Sequence, residues 1–262
     1  MELADQSVLI PGGTSGIGLA CARAFVAAGA TVCVAGRNTG RGAAAAAALG
    51  PRARFIAADC ADPAQVERMV ADAAESMGRI DTLVCTFGGN RLPQLLFRQS
   101  LDDIRVSLNH DLAPFLYAGR AVLPVMMAQN SGAVINIASD AGKLATPGES
   151  VIGAGMAAII QFTRGLAIEA KRNGIRANTI TPSLVEGTPL TDRLMAEGTF
   201  AAKLFAKARP LAHLGPTTPE DLAALTIFLA SPAAARITGQ SISVNGGISA
   251  LRRAAFLTKL GK

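Results

Sequence analysis

Tryptophan is absent from this chain of 262 residues, tyrosine occurs once, at Tyr117, and aromatic residues make up only 4%. Platforms on which bases could stack are therefore scarce. The basic residues are scattered from Arg23 to Lys262, with no run longer than two, so a net charge of +6 does not point to nucleic acid, and none is expected as a partner. Histidine occurs twice, and Cys21, Cys33, Cys60 and Cys85 never fall at Cys-x-x-Cys spacing. No metal site is expected. Each cysteine lies in an apolar stretch, as reduced core thiols of a cytoplasmic protein do. Membrane-length apolar runs are missing too: no window reaches roughly 18 consecutive apolar residues, and Met1-Glu2-Leu3-Ala4-Asp5 carries acids instead of an apolar leader. Neither a membrane partner nor a secretory route is expected.

What is present is glycine, 27 residues of it, in a chain that is 50% hydrophobic. One domain spanning 1–262 can bury a core of that size. Short apolar runs alternate with helical stretches: 7–10 then 16–29, 31–35 then 39–49, 54–57 then 63–77, 82–85 then 101–129, 133–137 then 151–173, with further runs at 176–180 and 241–244. Strands separated by helices imply right-handed crossovers and a parallel sheet covered on both faces. The pattern predicts a doubly wound, three-layer α/β/α fold of about seven strands, Rossmann-like in arrangement.

After the first strand comes Gly12-Gly13-Thr14-Ser15-Gly16-Ile17-Gly18, leading directly into a helix. Glycines let the backbone turn tightly against a pyrophosphate, and the free N–H groups of the helix start donate to it. Gly12, Thr14, Ser15, Gly16, Ile17 and Gly18 are therefore candidate cofactor-binding residues. At the end of the second strand stands Arg37, where a carboxylate would hold a ribose 2′-hydroxyl; a guanidinium there pairs with a 2′-phosphate. NADP(H) is the expected cofactor.

With these residues in place the chain resembles the short-chain dehydrogenase/reductase family along nearly its whole length. Asp59-Cys60-Ala61-Asp62 resembles the acidic turn that contacts adenine, and Asn136-Ile137-Ala138-Ser139-Asp140-Ala141-Gly142 resembles the family's Asn-Ile-Ser-Ser-x-Ala-Gly. Asn178-Thr179-Ile180-Thr181-Pro182-Ser183 and Ile237-Thr238-Gly239-Gln240 with Val244-Asn245-Gly246-Gly247 resemble two later family motifs. Cys85-Thr86-Phe87-Gly88 stands where the family has Asn-Asn-Ala-Gly, which adds Gly88 to the cofactor candidates. The resemblance implies a carbonyl/alcohol oxidoreductase using an Asn, a Ser, a Tyr and a Lys. Ser139 supplies the serine. Counting from Ser139 and from Gln161-Phe162-Thr163-Arg164-Gly165 puts Ile152 at the tyrosine position and Met156 at the lysine position. Neither can transfer a proton. Asp111 stands at the asparagine position when the helix is aligned without a gap, and His110 when Ala113-Pro114-Phe115 alone is matched. The catalytic candidates are thus Ser139 and Asp111. Pro11 and Ser183 are further departures around the same site.

Lys143, four residues after Ser139, is a candidate substitute proton carrier. Between 184 and 214 the resemblance implies a lid, in which Leu190, Leu194, Ala201, Leu204, Phe205 and Ala208 make apolar faces flanked by Arg193, Lys203, Lys207 and Arg209. Such a lid suits an apolar ligand with an anionic end. A basic extension follows at 251–262. The family habit of burying the helices at 101–129 and 151–173 between subunits implies a homo-dimer or homo-tetramer. Two readings of function stand side by side: an NADP(H)-linked oxidoreductase by descent, and a non-redox descendant using the inherited pocket, either a ligand-binding or regulatory subunit or a dehydratase- or cyclase-type enzyme.

Overall fold

A computed structural model describes residues 3–4, 6–88 and 92–249. The extension at 251–262 lies outside the described residues. Seven strands, β1 (Ser7–Pro11), β2 (Thr31–Gly36), β3 (Ala53–Ala57), β4 (Thr82–Cys85), β5 (Gly132–Ile137), β6 (Ile175–Pro182) and β7 (Ser241–Val244), pair in the order β3-β2-β1-β4-β5-β6-β7. All pairings are parallel. The chain winds outward from β1 to β3, then crosses back to β4 and winds the other way. A crevice opens at such a reversal, above the carboxyl ends of the strands.

Among the described residues nine α-helices accompany the sheet: α1 (Gly16–Ala27), α2 (Thr39–Leu49), α3 (Pro63–Met77), α4 (Leu101–Ser107), α5 (Ala113–Gln129), α6 (Ser150–Ala170), α7 (Pro189–Leu194), α8 (Phe200–Ala208) and α9 (Pro219–Ala230). Local chemistry sets several starts. Asn38 accepts from the Arg41 N–H to cap α2, and Asp62 accepts from the Ala64 and Gln65 N–H groups ahead of Pro63 in α3. One core packs Phe115, Met126, Leu83 and Ile159 between the sheet and α3, α5 and α6; the other packs Phe25, Ile10, Ile180 and Leu222 on the opposite face. The strands buried on both faces explain why they read as continuous apolar runs and not as alternation.

Three departures from the sequence reading matter. The stretch 101–129 is not one helix: Leu108–Leu112 forms a π-helical turn between α4 and α5. One extra residue per turn rotates the side chains that follow, a device frequent at functional sites. Secondly, the apolar pattern of the sequence does not announce α9, although Thr218 and Asp221 form a capping box at its start with Pro219 between them. Its weak amphipathicity hid it, because it is buried along most of its length against α1. Thirdly, α6 with its terminal turn, Ser150–Asn173, is long and apolar enough to cross a membrane by length and composition. It packs against β6 with Ile159, Ile160, Thr163 and Leu166 buried, which is the position of a core helix.

Candidate functional site

A cavity of about 530 Å³ lies over the carboxyl ends of β1 to β6. Its first half is built on β1, β2 and β3. Gly12 has φ +84, and a Cβ there would lie 2.5 Å from the Thr86 carbonyl oxygen; a Cβ on Gly18 would lie 2.5 Å from the Gly12 oxygen. The turn is therefore packed too closely for side chains, and its backbone faces the cavity. Thr86 fixes it from β4 by donating from N–H and Oγ1 to the Pro11 oxygen at 3.1 and 3.0 Å. Thr14, Ser15, Gly16 and Ile17 complete this wall.

Arg37 leaves the end of β2 on the rim, and Arg41 joins it from the first turn of α2, with Nε 3.4 Å from Thr14 Oγ1. Arg41 was missed in the sequence. The signal was the capping residue Asn38, which starts α2 and sends the residue three positions on back toward the β1 turn. At the end of β3, Asp59 accepts from the Ala61 N–H at 3.0 Å, and Cys60 is buried with Sγ 3.9 Å from Met69 Sδ. Both line the cavity.

All four cysteines are buried, Cys60 at the cavity wall. Burial pushes the Cys21, Cys33 and Cys60 thiols up to about 12, and the Cys85 thiol well above its ordinary value. Thiolate is the reacting species, so native protein at pH 8 is expected to release no colour from Ellman's reagent, whereas unfolded protein releases four equivalents. Rapid labelling of one thiol in native protein would show Cys60, the cavity-lining one, to be open.

The second half of the cavity is built on β4, β5, β6 and α6. Phe87 follows β4 and meets Phe115 edge to face, ring centroids 5.1 Å apart, with Gly88 beside it at φ +117. Ser139 follows β5, and its Oγ accepts from the Ala141 N–H at 3.2 Å. Ile152 and Met156 lie one turn apart on α6 and both line the cavity. His110 and Asp111 reach it together from the π-helical turn; Asp111 is buried, with Oδ2 accepting from Ser107 Oγ at 2.9 Å. Both residues that the sequence left as alternatives thus face the same space. The segment 184–214 closes the outer side with Leu190, Leu194 and Phe205, whose apolar faces pack with Leu184 and Ala201 as the spacing predicts. Arg193 and Glu149 also line the cavity, the latter unforeseen.

Lys143 is a correction. Its Nζ donates to the Ser241 oxygen at 3.0 Å and to Ser243 Oγ at 2.9 Å, on β7, and it is not among the residues lining the cavity. Burial lowers its pKa, but the ammonium clamps the Ser139 turn to β7 instead of reaching a ligand. Asp140 makes the same attachment by accepting from Ser243 Oγ at 3.1 Å and from Asn245 Nδ2. Among the described residues, no three of His, Cys, Asp or Glu come together as a metal site.

Ser139 and Asp111, with the cofactor candidates Gly12, Thr14, Ser15, Gly16, Ile17, Gly18, Arg37, Asp59, Cys60 and Gly88, therefore line one cavity at a topological switch point, and Lys143 does not. The family model described as enoyl-(acyl carrier protein) reductase matches residues 12–249, and the chain belongs to the short-chain dehydrogenase/reductase family. Among its relatives are the 3-oxoacyl-acyl-carrier-protein reductase FabG of Vibrio harveyi, 34% identical over 248 residues covering 95% of this chain and 99% of that protein, and FabG of Chlamydia pneumoniae, 33% identical over 255 residues covering 95% and 99%. Similar solved structures include levodione reductase, with TM-score 0.87, 28% identity and coverage of 94% and 98%, and ElxO with NADP bound, with TM-score 0.85, 26% identity and coverage of 94% and 99%.

Proposed function

We propose that this chain binds a phosphorylated adenosine dinucleotide, NADP(H) or its adenosine half, and that it does not carry out the proton-coupled reduction of ordinary ketones. The observation that carries this reading is the contrast between the two ends of one cavity. At the β1–β3 end the close-packed glycine turn offers backbone N–H groups, two guanidinium groups flank the rim, and Asp59 and Cys60 form the far wall. That donor set fits an adenosine diphosphate bearing a ribose phosphate. The NADP in a related structure supports it.

At the other end the fit fails. Ile152 and Met156 present hydrocarbon and thioether where a proton donor and a ribose-binding cation would be needed. General acid–base catalysis contributes about 10²- to 10⁴-fold, so a site without it is slow even when hydride is in reach. The second reading, an oxidoreductase whose proton transfer has moved, is favoured by Ser139 and buried Asp111 at the same end. In either case the protein works in the cytoplasm, on an apolar ligand with an anionic end covered by the segment 184–214. The exposed α6 face, with Ala154, Ala157 and Ile168, is buried between copies in a dimer or tetramer.

The test is a calorimetric titration with NADPH, NADP+ and NADH, followed by a turnover assay. Micromolar binding of the phosphorylated pair, at least tenfold weaker NADH, and no NADPH consumption with ketone substrates are expected. Absence of NADPH binding overturns the first half of the reading, and rapid ketone reduction overturns the second.

A further inference from the structure

Within the segment 184–214 the two helices are attached in different ways. α7 is tied down: Thr188 Oγ1 and Thr191 Oγ1 both donate to the Val185 oxygen, and Val185 pairs in parallel with Thr217, whose oxygen accepts from the Glu186 N–H at 2.9 Å. Among the described residues α8 has no such root. It is entered through Gly198, φ +79, and left toward Gly215, φ +101, and a Cβ at either glycine would meet nothing within 4 Å. Glycine stands there for its backbone freedom and not for want of room, as a hinge requires. The buried residues of α8, Ala201 and Phe205, join Leu184 and Leu194 in a small apolar cluster that shares no residue with the two cores on the sheet. An element docked on a satellite cluster opens more readily than the body of a protein.

Both ends of α8 are held at single points. At its C-terminal end Arg209 Nε meets Glu186 Oε1 at 2.6 Å, an ion pair whose arginine is more than half exposed, so solvent weakens it. At its N-terminal end Phe200 lies on Gly148. A Cβ at position 148 would stand 2.4 Å from Phe200 Cε1 and 3.2 Å from Cζ, so the edge of the ring fills the place of a side chain. This seat belongs to the body: Gly148 has φ +82, its oxygen accepts from the Gln94 N–H at 2.8 Å, and α6 starts two residues further on. Pro93 and Glu149, next to the two seat residues, line the cavity, and so does Phe205 further along α8.

Resting on the reading of 184–214 as the cover of an apolar ligand, we infer that α8 is a flap over the β4–β6 half of the cavity, swinging on Gly198 and Gly215 and latched shut by the Phe200 ring on Gly148. When the ring leaves its seat, α8 carries Phe205 away and the outer side opens, while α7 and the glycine turn keep their places. Entry to this half is then set by release of the latch, and entry to the adenosine half is not.

The experiment reads the position of α8 directly. Spin labels are placed at Ala206→Cys on α8 and Ala224→Cys on α9, both exposed, while the native cysteines are buried; dilution with unlabelled protein restricts the reading to distances within one chain. The otherwise unmodified chain is expected to give one distance. Phe200→Ala is expected to add a longer one in at least about a third of the molecules, and Phe200→Leu, which keeps part of the apolar contact, in fewer. Stopped-flow mixing supplies the second readout: anilinonaphthalene sulfonate, an apolar dye with an anionic end, is expected to associate at least about fivefold faster with Phe200→Ala, and 2′,5′-ADP at an unchanged rate. Identical distances in Phe200→Ala and the unmodified chain overturn the inference. Distances that broaden without a second peak overturn it as well, because the ring then holds the helix together and not its position. Equal acceleration of both probes overturns the assignment of the flap to this half. If either probe fails to bind, the reading of its half falls and the distances alone decide the latch.

Discussion

Reversing both charges on the rim, Arg37→Glu with Arg41→Glu, is expected to weaken NADPH binding by about 10²- to 10³-fold while NADH stays within about threefold. Charge-assisted hydrogen bonds from a guanidinium to a phosphate are worth about 1.5–3 kcal/mol each in sheltered settings. Both arginines are exposed, so solvent screening takes the pair toward the lower end of that range, and the introduced carboxylates add repulsion. The comparison with NADH separates the ribose phosphate from everything else in the ligand. Repeating the titration at low and high salt is a second check: the wild-type preference shrinks with salt, and the variant's does not. Equal losses for both dinucleotides would place the arginines in folding or in diphosphate contact and remove them as the selecting groups. Arg41→Glu alone is the sharper variant, since Arg37 was legible in the sequence and Arg41 was not.

Installing Ile152→Tyr together with Met156→Lys is expected to create NADPH-dependent ketone reduction at least 10²-fold above the unmodified protein, and neither single change is expected to suffice. A free tyrosine titrates near pH 10, so at neutral pH it is a poor proton carrier until a nearby cation stabilises its phenolate. The two positions lie one turn apart on α6 and face the same cavity, so the introduced ammonium lies near the introduced phenol. Lysine resembles methionine in length, and the larger tyrosine has the open space of a 530 Å³ cavity ahead of it. The readout is loss of the reduced-cofactor absorbance with a panel of small ketones and 3-oxoacyl thioesters. Appearance of turnover, falling as pH rises through the lowered pKa of the phenol that must donate a proton to the ketone, would show that Ser139 and the glycine turn remain competent. No gain in a variant that still binds NADPH would locate the obstacle in Phe87 or Ser183, which line the same half. That outcome would strengthen the case for a ligand other than nicotinamide.

The succession of strands and most helices and the glycine turn could be read from residues near one another in the chain. Periodicity, caps and tight turns are short-range effects, so a local pattern carries them: Gly12 and Gly18 announce a turn, and Asn38 and Asp62 announce helix starts. The partners of polar side chains are another matter. Lys143 looks like a proton carrier beside Ser139, yet its ammonium is taken by Ser243, a hundred residues further on, because β7 closes the sheet next to β6. Arg41 reaches the rim only because α2 folds back over the β1 turn, and His110 and Asp111 enter one cavity from a π-helical turn that no local pattern in the sequence announces. Buried α9 shows no strong amphipathic stripe, since apolar neighbours surround it on nearly every side. Fold is a sum of many local preferences that agree, whereas the chemistry of a site depends on a few distances between segments far apart in the chain, and those exist only once the sheet has formed.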